Sequence, residues 1–216
     1  MVFSTLFIDH DGTLVDSEPA QHKIWQQVLA PFSISLSFAD FKPRIGLSGE
    51  STATFFVNKF NLPISSAELS QLKVDATLTY IHTVGFTLMP AVEQFLTRFK
   101  KFQPEAKIAL VSGSDRSHVI ASLAHHPQLP IDLVVAGGDT KNTKPNPEPY
   151  LKAISDLQVL AEHVLVLEDS ESGIQAATAA GLTTYALAHA YSDKSSLQKA
   201  DKIFHHFDEL NAHFFG

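Results

Sequence analysis

The chain contains no cysteine. A disulfide framework, a thiolate metal site and a cysteine nucleophile are therefore excluded. Positive charge is also scarce: 16 lysines and arginines stand against 23 aspartates and glutamates, a formal net charge of −7. That balance disfavours a nucleic-acid or anionic-membrane surface, although local charge in a cleft can still suit a small anionic substrate. No apolar run approaches the roughly 20 residues of a membrane span. The N-terminus lacks a basic region followed by an apolar stretch and a cleavage site. No internal repeat and no low-complexity tract is visible. The expectation is a soluble, cytoplasmic, monomeric protein with neither nucleic acid nor membrane as partner. Its 216 residues suffice for one good core, or a core plus a small inserted domain.

What is present is a series of short apolar runs. Residues 2–8 (Val-Phe-Ser-Thr-Leu-Phe-Ile) come first, then Lys107–Val111, Asp132–Val135, His163–Leu167 and Thr183–Leu187, with a weaker run at Ala200–Phe204. Stretches of helical periodicity lie between them at Pro90–Phe102, Ser114–His125, Pro147–Leu157 and Ser170–Ala180. Buried strands alternating with helices imply an α/β fold whose parallel sheet is covered on both faces. Residues 17–86 differ, with helix-like patterns at Ala20–Ala30, Ser51–Phe60 and Ser66–His82 and no comparable strand. About seventy residues exceed what a crossover needs. The spacing therefore predicts a core of residues 1–16 and 87–216 interrupted by a helical subdomain, 17–86. Ile24, Trp25, Val28 and Leu29 form an apolar stripe expected to be that subdomain's core. Ser66-Ala67-Glu68 supplies a candidate helix start.

Each main strand ends in polar residues unsuited to a plain turn: Asp9 and Asp11, then Ser112-Gly113-Ser114-Asp115, then Gly137-Gly138-Asp139 with Lys144-Pro145, then Glu168-Asp169-Ser170. In a parallel sheet these converge on one crevice at the carboxyl ends of the strands. Two carboxylates that close repel unless a cation joins them, most simply a divalent metal with oxygen ligands. Phosphoryl transfer suits such a crevice. Asp9 can attack phosphorus as a nucleophile. Asp11 can protonate the leaving oxygen and then deprotonate water. Asp169, with Glu168 beside it, can complete an oxygen shell of the kind Mg2+ prefers. Lys144 and Ser112 can hold the phosphoryl group, and the amides of Gly113 and Ser114, read as a helix start, can bind further oxygens.

With these motifs in view, the chain resembles the haloacid dehalogenase superfamily of phosphatases and phosphomutases. The resemblance is carried by Asp9-x-Asp11-Gly12-Thr13-Leu14-Val15-Asp16-Ser17-Glu18, the apolar run into Ser112-Gly113-Ser114, Lys144-Pro145-x-Pro147, and Glu168-Asp169-Ser170-x-x-Gly173-x-x-Ala176-Ala177-x-x-Ala180-Gly181. It looks like the branch containing β-phosphoglucomutase and sugar-phosphate phosphatases. The resemblance implies a Rossmann-like core with a helical cap inserted after the first strand. It further implies that Mg2+ is held by the Asp9 carboxylate, the Asp11 backbone carbonyl and the Asp169 carboxylate, with Glu168 in or beside that shell. Ser112, Gly113 and Lys144 would bind phosphate, and the substrate would be a small phosphorylated metabolite, a sugar or polyol phosphate.

Several positions depart from the family pattern. His10 lies between the aspartates, where an apolar residue is commoner, and strand alternation directs it away from both, toward a packing role. The position of a cap histidine holds Gln21, and that of a cap arginine, after Gly46-Leu47-Ser48, holds Gly49. Without an arginine there to grip a second phosphate, a phosphatase is favoured over a phosphomutase. Asp11 disfavours true dehalogenation, because halide leaves without a proton. A non-catalytic phosphate- or metal-binding protein is the alternative from another class. The pairs His125-His126 and His205-His206 are expected to be solvated or packed, since adjacent residues on a helix do not share a face.

Overall fold

The computed structural model describes residues 3–45, 47–190, 192 and 195–216. Val2, at the start of the first apolar run, and Gly46 lie outside them. In chain order the elements are β1 (Thr5–Ile8), β2 (Val15–Asp16), α1 (Glu18–Leu29), α2 (Phe38–Phe41), α3 (Gly49–Phe60), α4 (Ser66–Thr83), β3 (Thr87–Leu88), α5 (Val92–Phe102), β4 (Lys107–Asp115), α6 (Arg116–Leu123), β5 (Leu133–Gly137), α7 (Glu148–Leu157), β6 (Val164–Glu168), α8 (Glu171–Ala179), β7 (Thr183–Leu187), β8 (Lys202–Phe204) and α9 (Phe207–Phe215). They fall into two compact units, Met1–Asp16 with Thr87–Gly216, and Ser17–Phe86.

The first unit is built on six parallel strands in the order β5-β4-β1-β6-β7-β8. From β1 the chain runs outward through β4 and β5, then returns to the other side of β1 for β6, β7 and β8. Such a reversal opens a crevice beyond the carboxyl ends of the central strands. Register decides what meets there. Ile8 stands opposite Leu110 on one side and Leu167 on the other. The residues that follow these three, Asp9, Val111-Ser112 and Glu168-Asp169, therefore emerge at one level.

Burial on both faces holds this sheet. Phe7, Val111, Val135 and Val166 pack with Tyr150 and Ala153 of α7 and with Ala176 and Ala177 of α8. Leu6, Ile8, Ile108, Leu110, Leu165 and Leu167 alternate with them and are also buried. Each such side chain contributes roughly 1.5–3 kcal/mol relative to exposure. A second, two-stranded antiparallel ribbon pairs Val15 with Leu88 and Asp16 with Thr87. The chain leaves and re-enters this unit through that ribbon.

The second unit is helical. Ile24, Trp25, Val28 and Leu29 of α1 cluster with Ala53 and Phe56 of α3 and Leu69 of α4, and the Trp25 and Phe56 rings meet edge-on at 5.1 Å. Helix α4 begins at Ser66, and its cap lies one residue earlier than the expected Ser66. Ser65 is the N-cap and accepts from the Glu68 amide at 3.2 Å, while the Glu68 carboxylate accepts from the Ser65 amide at 2.8 Å. This reciprocal capping box outcompetes Ser66, because its N3 residue is glutamate.

Candidate active site

Asp9 is the first residue beyond β1, and its amide still donates to the Leu167 carbonyl at 3.0 Å. That last ladder bond fixes its direction. The carboxylate is buried and meets Lys144, whose ammonium lies 2.5 Å from Asp9 Oδ1, 2.5 Å from Glu168 Oε1 and 2.8 Å from the Val111 carbonyl oxygen. Three N–H donors thus meet three acceptors contributed by or just beyond three neighbouring strands. The ammonium also lies over the Tyr150 ring, 5.2 Å from its centre.

Glu168 is fully buried. It accepts from Lys144, from the Tyr150 hydroxyl at 2.9 Å, from the Ser170 hydroxyl at 2.9 Å, and from the amides of Asp169 and Ser170. Gly173 makes room for it: a Cβ there would lie 1.8 Å from Glu168 Oε1. Asp169 is held by Thr13 Oγ1 at 3.0 Å and by His189 Nε2 at 2.9 Å.

Burial penalises these charges. It raises the Asp9 carboxyl well above its ordinary range; Lys144 opposes the rise, and Glu168 and Asp169 add to it. Asp169 is raised by burial and by Glu168, against the opposing His189 and Thr13 contacts. Burial alone would lower Lys144, but Asp9 and Glu168 outweigh it and hold the ammonium charged, well above its usual value. Tyr150 is raised by burial and by Glu168, so it remains a hydroxyl donor.

Asp9, Glu168 and Asp169 each offer a carboxylate oxygen within 4.8 Å of the others, the group of metal-ligating type among the described residues. Two buried carboxylates and a half-buried third against one ammonium leave a deficit of positive charge. An all-oxygen donor set of this kind suits a hard divalent cation.

Asp11 has a different environment. Its side chain is 27% exposed and lies outside the carboxylate cluster; Oδ2 accepts from the Ser114 hydroxyl at 2.7 Å and meets His10 Nδ1 at 3.1 Å. The contact with His10 corrects the expectation from alternation. Strand β1 ends at Ile8, and beyond Asp9 the chain turns: the amides of Leu14 and Val15 both donate to the His10 carbonyl. The two-residue period no longer governs side-chain direction there, and His10 is buried beside Asp11 rather than opposite it.

Ser112 is buried at the mouth of β4, and its hydroxyl oxygen accepts from the Ser114 amide at 3.0 Å. The expected helix start at Gly113 and Ser114 is displaced. Strand β4 continues to Asp115 through an irregular pairing with β5, and α6 begins at Arg116. The Gly113 Cα faces open space. Asp139 accepts from Arg116 and from the Ala136 amide, so it is a turn residue. In the helical unit, Gly49 opens α3 and Arg44 lies over the Phe55 ring.

Sequence reasoning missed Thr13, Tyr150 and His189. His189 follows β7 by two residues. The rule that ligands gather beyond the carboxyl ends of strands, applied to this strand too, would have marked it.

Carboxylates paired with a lysine lie at the carboxyl ends of a parallel α/β sheet, and the family match and the phosphatases among the relatives make this a hydrolase of the phosphoric monoester class. More narrowly, the family model for haloacid dehalogenase-like hydrolases matches residues 6–187, and the chain belongs to that family. It is 29% identical over 183 residues to the fructose-1-phosphate phosphatase YqaB of Escherichia coli, covering 83% of this chain and 94% of that one. It is 25% identical to a phosphorylated carbohydrates phosphatase of Thermotoga maritima, covering 92% and 91%. Its fold matches the crystal structure of CbbY from Rhodobacter sphaeroides in complex with phosphate, with a TM-score of 0.81 at 20% identity over 97% and 96% of the two chains.

Proposed function

We propose that the protein is a magnesium-dependent phosphatase acting on a small sugar or polyol phosphate through a phosphorylated Asp9. The observation that carries this reading is the division of Asp9 and Asp11 between two environments. Asp9 is buried against a fixed ammonium. Asp11 is partly exposed and held by a hydroxyl and an imidazole. Two carboxyl groups in contrasting surroundings are suited to separate chemical roles.

In the first step an Asp9 oxygen attacks phosphorus, the bond from phosphorus to the substrate oxygen breaks, and Asp11 gives that oxygen its proton. In the second, Asp11 takes a proton from water as the water oxygen attacks the same phosphorus. The bond to Asp9 breaks, and inorganic phosphate leaves. Lys144 stabilises the charge that spreads over the phosphoryl oxygens, and the Ser112 hydroxyl and Gly113 amide supply further donors. Asp9 and Asp169, with the Asp11 main-chain carbonyl, would hold Mg2+, which offsets the negative charge gathered in the site. Glu168, with several hydrogen bonds already made, serves best beside that shell, anchoring Lys144.

The sugar-phosphate class is supported by the phosphatases among the relatives. Gly49 favours hydrolysis over mutase chemistry, because no arginine stands there to hold a second phosphate. The test is a panel of phosphorylated sugars and polyols with magnesium, reading released phosphate. Turnover of at least one, lost in Asp9→Asn with the fold intact, is expected. Turnover by Asp9→Asn at the parent rate would reject the mechanism. Conversion of β-glucose 1-phosphate to the 6-phosphate without phosphate release would favour the mutase.

A further inference from the structure

His10 is buried to 1% exposure immediately beside Asp11, and both of its ring nitrogens are engaged. Nδ1 lies 3.1 Å from Asp11 Oδ2, and Nε2 lies 3.0 Å from the Ser122 hydroxyl. Ser122 belongs to α6 and is fully buried. The backbone of His10 is pinned as well, since its carbonyl accepts from both Leu14 and Val15. The ring is therefore clamped from the turn on one side and from a helix on the other. A histidine present only to fill space needs neither contact, and an apolar side chain would do that work at lower desolvation cost.

The consequence falls on Asp11. A carboxylate on a turn rotates about χ1 and χ2 unless something holds it. Here Ser114 and His10 converge on the same oxygen, Oδ2, at 2.7 and 3.1 Å. Both contacts fix Oδ2, and with it the plane and direction of the carboxyl group. The tautomer that satisfies the chain has Nδ1–H donating to Asp11 while the Ser122 hydroxyl donates to Nε2.

We propose that His10 is a positioning residue for proton transfer: anchored by Ser122, it holds the Asp11 carboxyl group so that one oxygen points at the substrate's leaving oxygen. The proposal rests on the reading of Asp11 as proton donor. Nothing in it requires His10 to touch substrate.

The test compares kcat/KM for phenyl phosphate and p-nitrophenyl phosphate, with magnesium, in the full chain. The two are close in shape, but phenoxide needs a proton to leave far more than p-nitrophenoxide does. Because kcat/KM reports steps up to the departure of the leaving group, later hydrolysis does not enter. Asp11→Asn sets the scale: its loss should be at least about tenfold larger for phenyl phosphate, given that general acid catalysis is worth about 10²–10⁴. His10→Leu keeps an apolar side chain in the turn, and its loss should be biased the same way by about tenfold, because a misdirected acid forfeits much of that factor. His10→Asn retains a side-chain N–H near the place of Nδ1 and should recover most of the bias. Ser122→Ala acts at the far end of the ring and should show the same bias more weakly, and combining it with His10→Leu should add nothing further.

A packing role predicts instead that His10→Leu lowers both substrates by the same factor, and that His10→Asn does not rescue. That outcome, or no change in either substrate, beside a biased Asp11→Asn, overturns the proposal and leaves the role of Asp11 standing. An unbiased Asp11→Asn overturns the role of Asp11 itself. Should His10→Leu melt below the assay temperature, Ser122→Ala and His10→Asn still decide: bias in the first with recovery in the second supports the proposal, and no bias in Ser122→Ala rejects it.

Discussion

Lys144 Nζ lies 2.5 Å from Asp9 Oδ1, so the loop before α7 is tied directly to the carboxyl end of β1. The same ammonium reaches Glu168 at the end of β6. One cation therefore ties together three neighbouring strands, counting the Val111 carbonyl of β4, and it stands beside the oxygen proposed to attack phosphorus.

Lys144→Met should cost both stability and activity. Removing one partner of a buried ion pair commonly costs about 3–5 kcal/mol, because the remaining charge stays buried without compensation. Here Asp9 and Glu168 would lose their shared cation. Turnover should fall by about 10²–10³, the loss typical of deleting one electrostatic stabiliser of the transition state. Lys144→Arg should not restore it, since a planar fork cannot meet three convergent acceptors as an ammonium does. Thermal melts and phosphate release measure the two effects. Parent-level turnover in either variant would contradict the role given to Lys144.

The raised carboxyls fix the sign of a pH effect. An acid whose folded-state pKa exceeds its unfolded value binds more protons when folded, across the interval between the two. Stability therefore falls as pH rises through that interval. Asp9 and Asp169 are both raised, chiefly by burial. Metal-free protein in chelator should thus lose stability from each carboxyl's ordinary value of 3.8 upward. Asp9→Asn removes one of these contributions, so its melting temperature relative to the parent should be higher at pH 8 than at pH 5. An equal difference at the two pH values would show instead that Lys144 holds Asp9 ionised across that range.

Magnesium should act in the opposite sense. It binds ionised carboxylates, so its stabilisation grows as protons leave the site. At 100 times its dissociation constant, a ligand that binds only the folded protein adds about 2.7 kcal/mol. The rise in melting temperature with added magnesium should therefore be greater at pH 8 than at pH 5, and Asp169→Asn should nearly abolish it. Chelator should stop turnover, and magnesium should restore it. An unchanged melting temperature in saturating magnesium would count against Asp9 and Asp169 as ligands.

The sheet was legible because its strands are short apolar runs, buried on both faces, that carry their polar residues at one end. Thr183–Leu187 and the helix ending at Phe102 emerge at the expected positions for that reason. Asp9, Lys144, Glu168 and Asp169 were legible as types, because the topology leaves such residues one place to meet. His10 was not, because it lies two residues past the last strand residue, Ile8, in a turn where alternation no longer holds. The helix start expected at Gly113 and Ser114 is displaced, because pairing with β5 resumes at Asp115 and keeps the backbone extended. The ribbon of β2 and β3 escaped because each strand has two residues and no periodicity to show.

Gly173 offers a test of how tightly the floor of the site is built. It lies in the first turn of α8, where alanine would ordinarily favour the helix by about 0.5–1 kcal/mol. A Cβ there would come within 1.8 Å of Glu168 Oε1 and 1.9 Å of its carboxyl carbon. Overpacking of a dense interior commonly costs about 1–3 kcal/mol, which outweighs the propensity gain. The helix cannot retreat freely, because the Gly173 amide donates to the capping hydroxyl of Ser170, which itself donates to Glu168. Glu168 must therefore shift, and Lys144 loses one of its three acceptors. Gly173→Ala should lower the melting temperature and reduce kcat more than it changes KM for p-nitrophenyl phosphate. A variant as stable and as active as the parent would mean that Glu168 has room to move and that Lys144 does not depend on it.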